Sequence, residues 1–249
     1  MSRGFPPQDL GCPEPDECTV AIADLVRLAG EGRLPQATLP AGRHWFRVYD
    51  ARDGYAQPNP GFGDTRFAPF DAQDTGARVP TMYLAESLEA ALLETSLHNV
   101  YEDSRLVSEQ DLLGKLHARV VPPKDLTLVD LRDERLATLS LTRQNVSSSS
   151  SEHYPCTRRV AQAIHAVPLV DGIIWHSRQA ELAERPPVEV VVVFADRVPH
   201  ARNSWNLAPS RSSNGPLLEG TGRLLLDELA ETLEVTITAA PTLDDPDSA

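Results

Sequence analysis

At 249 residues, with 41% hydrophobic and 24% charged residues, the chain is long enough for a sizeable core and has the composition of a soluble protein. Its 36 acidic residues against 23 basic ones leave a formal charge of −13, which argues against broad binding to nucleic acid or anionic membrane but permits a local basic pocket. No run of about 18 apolar residues is present to span a membrane, and the acidic N-terminus lacks the apolar core of a secretory leader. Cys12, Cys18 and Cys156 have no metal-ligand spacing, so reduced thiols in a cytoplasmic protein are expected.

Residues 1–18, rich in Pro, Gly and acids, read as a mobile lead-in. Ile22, Leu25, Val26 and Ala29 recur at helical spacing, and Gly30 is placed to end that helix. Pro35 and Pro40 separate it from His44–Tyr49 (HWFRVY), an aromatic and β-branched stretch expected to be a strand. Residues 50–78 show no clear period and hold many prolines and glycines. A structureless stretch of that length within a compact domain is usually functional.

Val79–Ala85 is expected to be the next strand. Ser87 then caps a helix whose buried face carries Leu88, Ala91, Leu92 and Thr95. Lys115–Val121 and Leu126–Leu131 flank the Pro122–Pro123 turn as two further strands. The serine tract Ser147–Ser151 reads as low-complexity and mobile. A helix with Cys156, Val160, Ile164 and Val167 near one face follows it. Gly172–His176 and Val188–Ala195 are short apolar β-branched runs of the kind buried on both faces. The tail offers a helix with Leu226, Leu229, Ala230 and Leu233, a strand-like EVTIT, and mobile residues 241–249. Strands and helices mix without a regular βαβ alternation, which predicts an α+β fold. The helices at 20–29 and 222–233 are expected to dock by their apolar faces.

Five polar residues sit where a bland core has no need of them. Arg47 lies inside the HWFRVY strand, and Arg66 follows Gly61 and Gly63 in GFGDTRF, where glycine allows close approach of a ligand. Tyr83 is in the next strand, Glu94 lies at the edge of a helix face, and Ser177 ends the GIIWH strand just before Arg178. Taken singly, each has a plainer reading as an ion-pair, core, surface or capping residue. Together, two arginines suit phosphate oxygens, and a single carboxylate suits positive charge developing on a sugar carbon. Neither a Walker loop nor a dinucleotide GxGxxG is present.

The order of these pieces, FRVY, then the RF of GFGDTRF, YLAES followed by ALLET, DGIIWHS and a VVVVF strand, resembles the RES domain over residues 43–197. The resemblance implies an N-terminal extension at 1–42, an NAD-cleaving domain at 43–197 and a C-terminal extension at 198–249. It implies a fold like that of the ADP-ribosyltransferase and diphtheria-toxin group. It also implies the toxin half of a toxin–antitoxin pair, which depletes NAD at the nicotinamide–ribose bond by hydrolysis or phosphorolysis, with an Xre-like protein as antitoxin. On those matches Arg47, Glu94 and Ser177 are the family's arginine, glutamate and serine, and Arg66 and Tyr83 match further site positions. Arg47 and Arg66 would hold the pyrophosphate, Tyr83 would pack on nicotinamide or ribose, and Ser177 would bond a phosphate or ribose hydroxyl. NAD would be substrate, with no metal or separate cofactor. Transfer of ADP-ribose to a protein, or a silent binding module, are the other readings.

Overall fold

A computed structural model describes residues 22–239 except 99, 101–103, 201–203 and 211. Residues 1–18 and 241–249, with Cys12 and Cys18, lie outside the described residues, so the expectations made for them stand aside. The chain opens with α1 (Ile22–Gly30), β1 (Gln36–Leu39), β2 (Trp45–Asp50), β3 (Thr81–Ala85) and α2 (Leu88–Leu93). It continues through β4 (Leu106–Ser108), α3 (Glu109–Leu112), β5 (Lys115–Val121), β6 (Leu126–Asp130), α4 (Asp133–Leu136) and α5 (Tyr154–His165). Then come β7 (Gly172–His176), α6 (Arg178–Leu182), β8 (Glu189–Phe194), β9 (Asn206–Leu207), β10 (Asn214–Pro216), α7 (Gly220–Thr232) and β11 (Thr236–Thr238). The architecture is α+β, as expected. No helix among the described residues is long and apolar enough to cross a membrane.

Most strands form one sheet in the order β1-β6-β7-β8-β3-β2-β5-β10, with β9 also paired to β5. Only the β6–β7 pair is parallel within it; β4 and β11 form a separate parallel pair. The apolar runs of β7 and β8 follow from burial on both faces. Ile173, Trp175, Val190, Val192 and Phe194 face one core with α1 and α5, while Ile174, Val191 and Val193 face the other with Trp45 and Trp205. Strand alternation thus puts two cores on one strand.

Several short elements were not expected from sequence. QATL between Pro35 and Pro40 becomes the edge strand β1, whose register against β6 runs from Gln36↔Val129 to Leu39↔Leu126. Its strand character comes from that partner, since four residues carry little local signal. In α1 the buried stripe is Leu25 and Leu28, and Val26 is half exposed, which corrects its place on the docking face. The helix packs on α5, and the α7 residues Leu226, Leu229 and Ala230 are buried against Leu92 and Leu93 of α2. Cys156 is a buried free thiol.

The sheet has a weak seam. Strand β2 meets β5 over six register pairs and β3 meets β8 over five, yet β2 and β3 share the single pair Phe46↔Ala85. Continuing that ladder would bring Asp50 opposite Thr81. Thr81 instead exchanges both backbone hydrogen bonds with Asn59, at 2.8 and 2.9 Å, so the 50–78 segment enters the gap and β2 peels away. The segment is ordered by its own anchors: Phe67 and Phe70 are fully buried, and Phe67 packs edge-on against Trp175 at 4.8 Å.

Gly172 marks a close approach of β7 to β8, since a Cβ there would lie 2.2 Å from the Val192 carbonyl oxygen. Gly172→Ala must push β7 from β8. It should lower stability by about 1–3 kcal/mol, read as a fall in the urea midpoint; an unchanged midpoint would show that the β7–β8 contact yields freely.

Candidate active site

The cleft lies at the seam. It has a volume of about 630 Å³, and Val48 and Tyr83, which a continuous ladder would set opposite each other, both line it. Arg66 and Glu94 line it too, so three of the five expected residues converge on one space.

Glu94 is placed by α2. Ser87 caps the helix by accepting the Ala90 amide at 3.0 Å, and Ala90 to Leu93 are all buried. The helix ends at Leu93, making Glu94 its C-terminal cap rather than an interior residue. The half-buried carboxylate accepts a hydrogen bond from Ser177 Oγ at 2.5 Å. Ser177 in turn caps α6, accepting from the Ala180 amide at 3.0 Å. The serine therefore joins the site through Glu94: its hydroxyl proton is committed to Oε1, and its lone pair to the backbone.

Tyr83 lines the cleft with its ring, edge-on to Trp175 at 5.9 Å, and anchors the neighbouring loop with its hydroxyl. That oxygen accepts the Phe67 amide at 3.1 Å and shares a hydrogen bond of 2.9 Å with Thr65 Oγ1. Burial raises the phenol well above its usual pKa, so it stays protonated. Between those two anchors sits Arg66. Its Nη1 donates to the carbonyls of Val146 and Ser149 at 2.9 and 3.1 Å and to Ser149 Oγ at 2.8 Å, while its guanidinium lies over the Tyr154 ring. The serine tract is therefore no mobile linker: Ser147 and Ser149 are buried, and Ser149 forms part of the arginine's cradle. Low complexity read as mobility because serine composition says nothing of a partner 83 residues away.

Arg47 does not line this cleft itself but a narrow crevice beside it, together with Tyr83, Glu94 and Thr95. On β2 it alternates with Val48, and of its same-side neighbours Trp45 packs in the second core while Tyr49 packs there and also reaches the cleft wall. Its Nη1 donates to the Tyr55 and Gln57 carbonyls at 2.7 and 3.0 Å, tying down the segment that fills the seam. Burial lowers its pKa to about 10, which leaves it charged at neutral pH.

Other lining groups were not singled out from sequence. His98 stands four residues after Glu94, with its Nε2 3.0 Å from the Tyr154 hydroxyl. Lys115, Asp64 and Asp111 complete the charged lining, with buried Arg158 paired to Asp64. Arg178 begins α6 beside Ser177. Burial lowers its pKa and the charge of Arg66 adds to that, placing a second guanidinium in the field of the first. Arg66 and Lys115 in the lining, with Arg178 nearby, give an anionic ligand cationic partners beside the Glu94, Asp64 and Asp111 carboxylates. No cluster of three or more His, Cys, Asp or Glu side chains suited to a metal occurs among the described residues.

Comparison with known protein families matches the model described as RES domain to residues 34–211. No curated protein matches the chain.

The two arginines should separate on substitution. Arg47→Ala strips the Tyr55 and Gln57 carbonyls of their donor, so it should cost about 1–3 kcal/mol of stability and weaken pyrophosphate binding less than Arg66→Ala does. Arg66→Ala should weaken that binding as well. Urea unfolding and calorimetry with inorganic pyrophosphate measure both, and equal losses of binding would make Arg47 a direct contact of the anion.

Proposed function

The chain belongs to the RES domain family, and on that premise we propose that it cleaves NAD at the nicotinamide–ribose bond. The observation that carries the reading is the Ser177–Glu94 pair at the edge of a cleft that also holds Arg66 and Tyr83. In this reading the residues of 43–197 supply the chemistry, 1–42 and 198–249 are extensions, and the split sheet is an ADP-ribosyltransferase-like frame around its dinucleotide.

Arg66, with Arg178 and Lys115 nearby, holds the pyrophosphate; forked guanidinium donors suit its oxygens. The ring of Tyr83 packs on the nicotinamide or its ribose. The bond from C1′ to the nicotinamide nitrogen breaks with its electron pair leaving on that nitrogen, which releases neutral nicotinamide. Positive charge develops on the ribose, and the Glu94 carboxylate stabilises it. Ser177 fixes one carboxylate oxygen, so the other is aimed at the sugar at no cost in reorganisation. A water or phosphate oxygen then bonds to C1′, and a water proton passes to solvent. Ser177 serves the reaction by orienting Glu94, and Arg47 by holding residues 55–57 in the seam. The activity fits the toxin half of a toxin–antitoxin pair, with an Xre-like protein as the partner that covers the cleft.

Glu94→Gln keeps the shape and the acceptor for Ser177 but removes the charge. Because that charge acts on the transition state, nicotinamide release should fall by about 100-fold or more while NAD affinity changes little. The assay follows free nicotinamide with and without phosphate, which also identifies the acceptor; label appearing on protein would indicate transfer instead. Full turnover by Glu94→Gln would falsify the mechanism.

A further inference from the structure

The family match ends at residue 211, yet the chain continues through β10, α7 and β11. We propose that this C-terminal segment, residues 214–239, is part of the substrate site: it holds in place a cleft wall that receives the adenine end of the dinucleotide. The inference rests on the NAD reading above and extends it to what selects a dinucleotide over a mononucleotide.

The wall comes from Val100 and residues 104–115. Val100, Leu106, Val107, Asp111 and Lys115 line the cleft, along with Val48 from β2. This part of the lining is apolar with a charged margin, unlike the polar part made by Arg66 and Glu94. Leu106 is 61% exposed, an unusual placement for a strand leucine beside a cleft. A planar heterocycle laid on Leu106 and the valines would cover that surface. Asp111 is then placed to accept from an exocyclic amine, and Lys115 to meet ring nitrogen or phosphate. The adenine amine matches an acceptor there.

The wall depends on the C-terminal segment for its structure. Among the described residues, β4 has no strand partner except β11, in the register Thr236↔Leu106, Ile237↔Val107 and Thr238↔Ser108. The Thr236 amide donates to the Arg105 carbonyl at 2.8 Å, just before the strand begins. Arg223 of α7 donates to Glu109 at 2.6 Å, and the Leu217 amide to the Lys115 carbonyl at 3.0 Å. Behind them Leu226, Leu229, Leu233 and Val235 pack with Val100, Val107 and Leu112 in one apolar cluster. Each end of the wall and its middle are thus fixed by residues beyond 211. A short strand with no other partner is not stable alone in water.

Two variants of the full chain test this. Leu106→Glu changes the wall at a largely exposed position, and Thr236→Pro removes the single amide that donates to Arg105. Leu106→Glu should keep the melting temperature close to wild type, and Thr236→Pro should lower it modestly without unfolding the domain. For NAD, KM should rise by about tenfold or more with kcat little changed, whereas kcat/KM for nicotinamide mononucleotide, which has no adenosine, should stay the same. ADP binding by calorimetry should weaken in step with the rise in KM. Equal losses on NAD and the mononucleotide, or ADP binding unchanged in both variants, would overturn the proposal, as would a wild type that does not bind ADP. If wild type binds ADP but releases no nicotinamide from NAD, the cleavage reading falls and the ADP comparison still decides the role of the wall.

Discussion

The single register pair between β2 and β3 is the constraint on which the rest of this molecule depends. A ladder closed along its length would bring Val48 against Tyr83 and leave no room for a ligand between them. Peeling β2 away costs backbone hydrogen bonds, and each must be replaced if the groups are buried. Asn59 replaces them at Thr81, and the guanidinium of Arg47 satisfies the carbonyls of Tyr55 and Gln57 in the inserted segment. The gap in the sheet therefore holds the inserted segment and leaves the cleft open beside it.

The same economy places the charged groups. Arg66 reaches the cleft because its peptide and guanidinium are held on several sides: Thr157 donates to its carbonyl, the serine tract accepts from its Nη1, and the Tyr83 hydroxyl binds the next residue. A guanidinium so fixed loses little conformational freedom when an anion binds, which favours affinity. Glu94 is fixed in a similar way, by Ser177 on one side and by the buried Leu92 and Leu93 that dock α2 against α7 on the other. A chain with a net charge of −13 can in this way still present cations to a small anionic ligand.

Support for the cleft is drawn from distant parts of the sequence. β10 extends the β5 edge of the sheet, where Asn214 accepts the Tyr49 hydroxyl at 2.6 Å, and β11 gives β4 its partner. At the opposite edge β1 closes against β6 and α1 packs over α5. Residues on both sides of 43–197 are thus woven into the frame that holds the cleft, through strand pairing rather than through contacts with any one site residue.

The elements with strong local periodicity were legible in the sequence by itself. Lys115–Val121 and Gly172–His176 are strands with those bounds, and Ser87 caps its helix, because apolar alternation, β-branching and capping chemistry act over a few residues. The order of FRVY, RF, YLAES, ALLET and DGIIWHS was likewise enough to indicate the RES family. Tertiary structure alone decided that Arg47 ties down the inserted segment, that the serine tract is a cradle, and that QATL is a strand. Each of these depends on a partner far along the chain: the 55–57 carbonyls for Arg47, Arg66 for Ser149, and β6 for β1. A side chain's type is local, but the face it presents and the donor it meets are fixed only when distant segments pack.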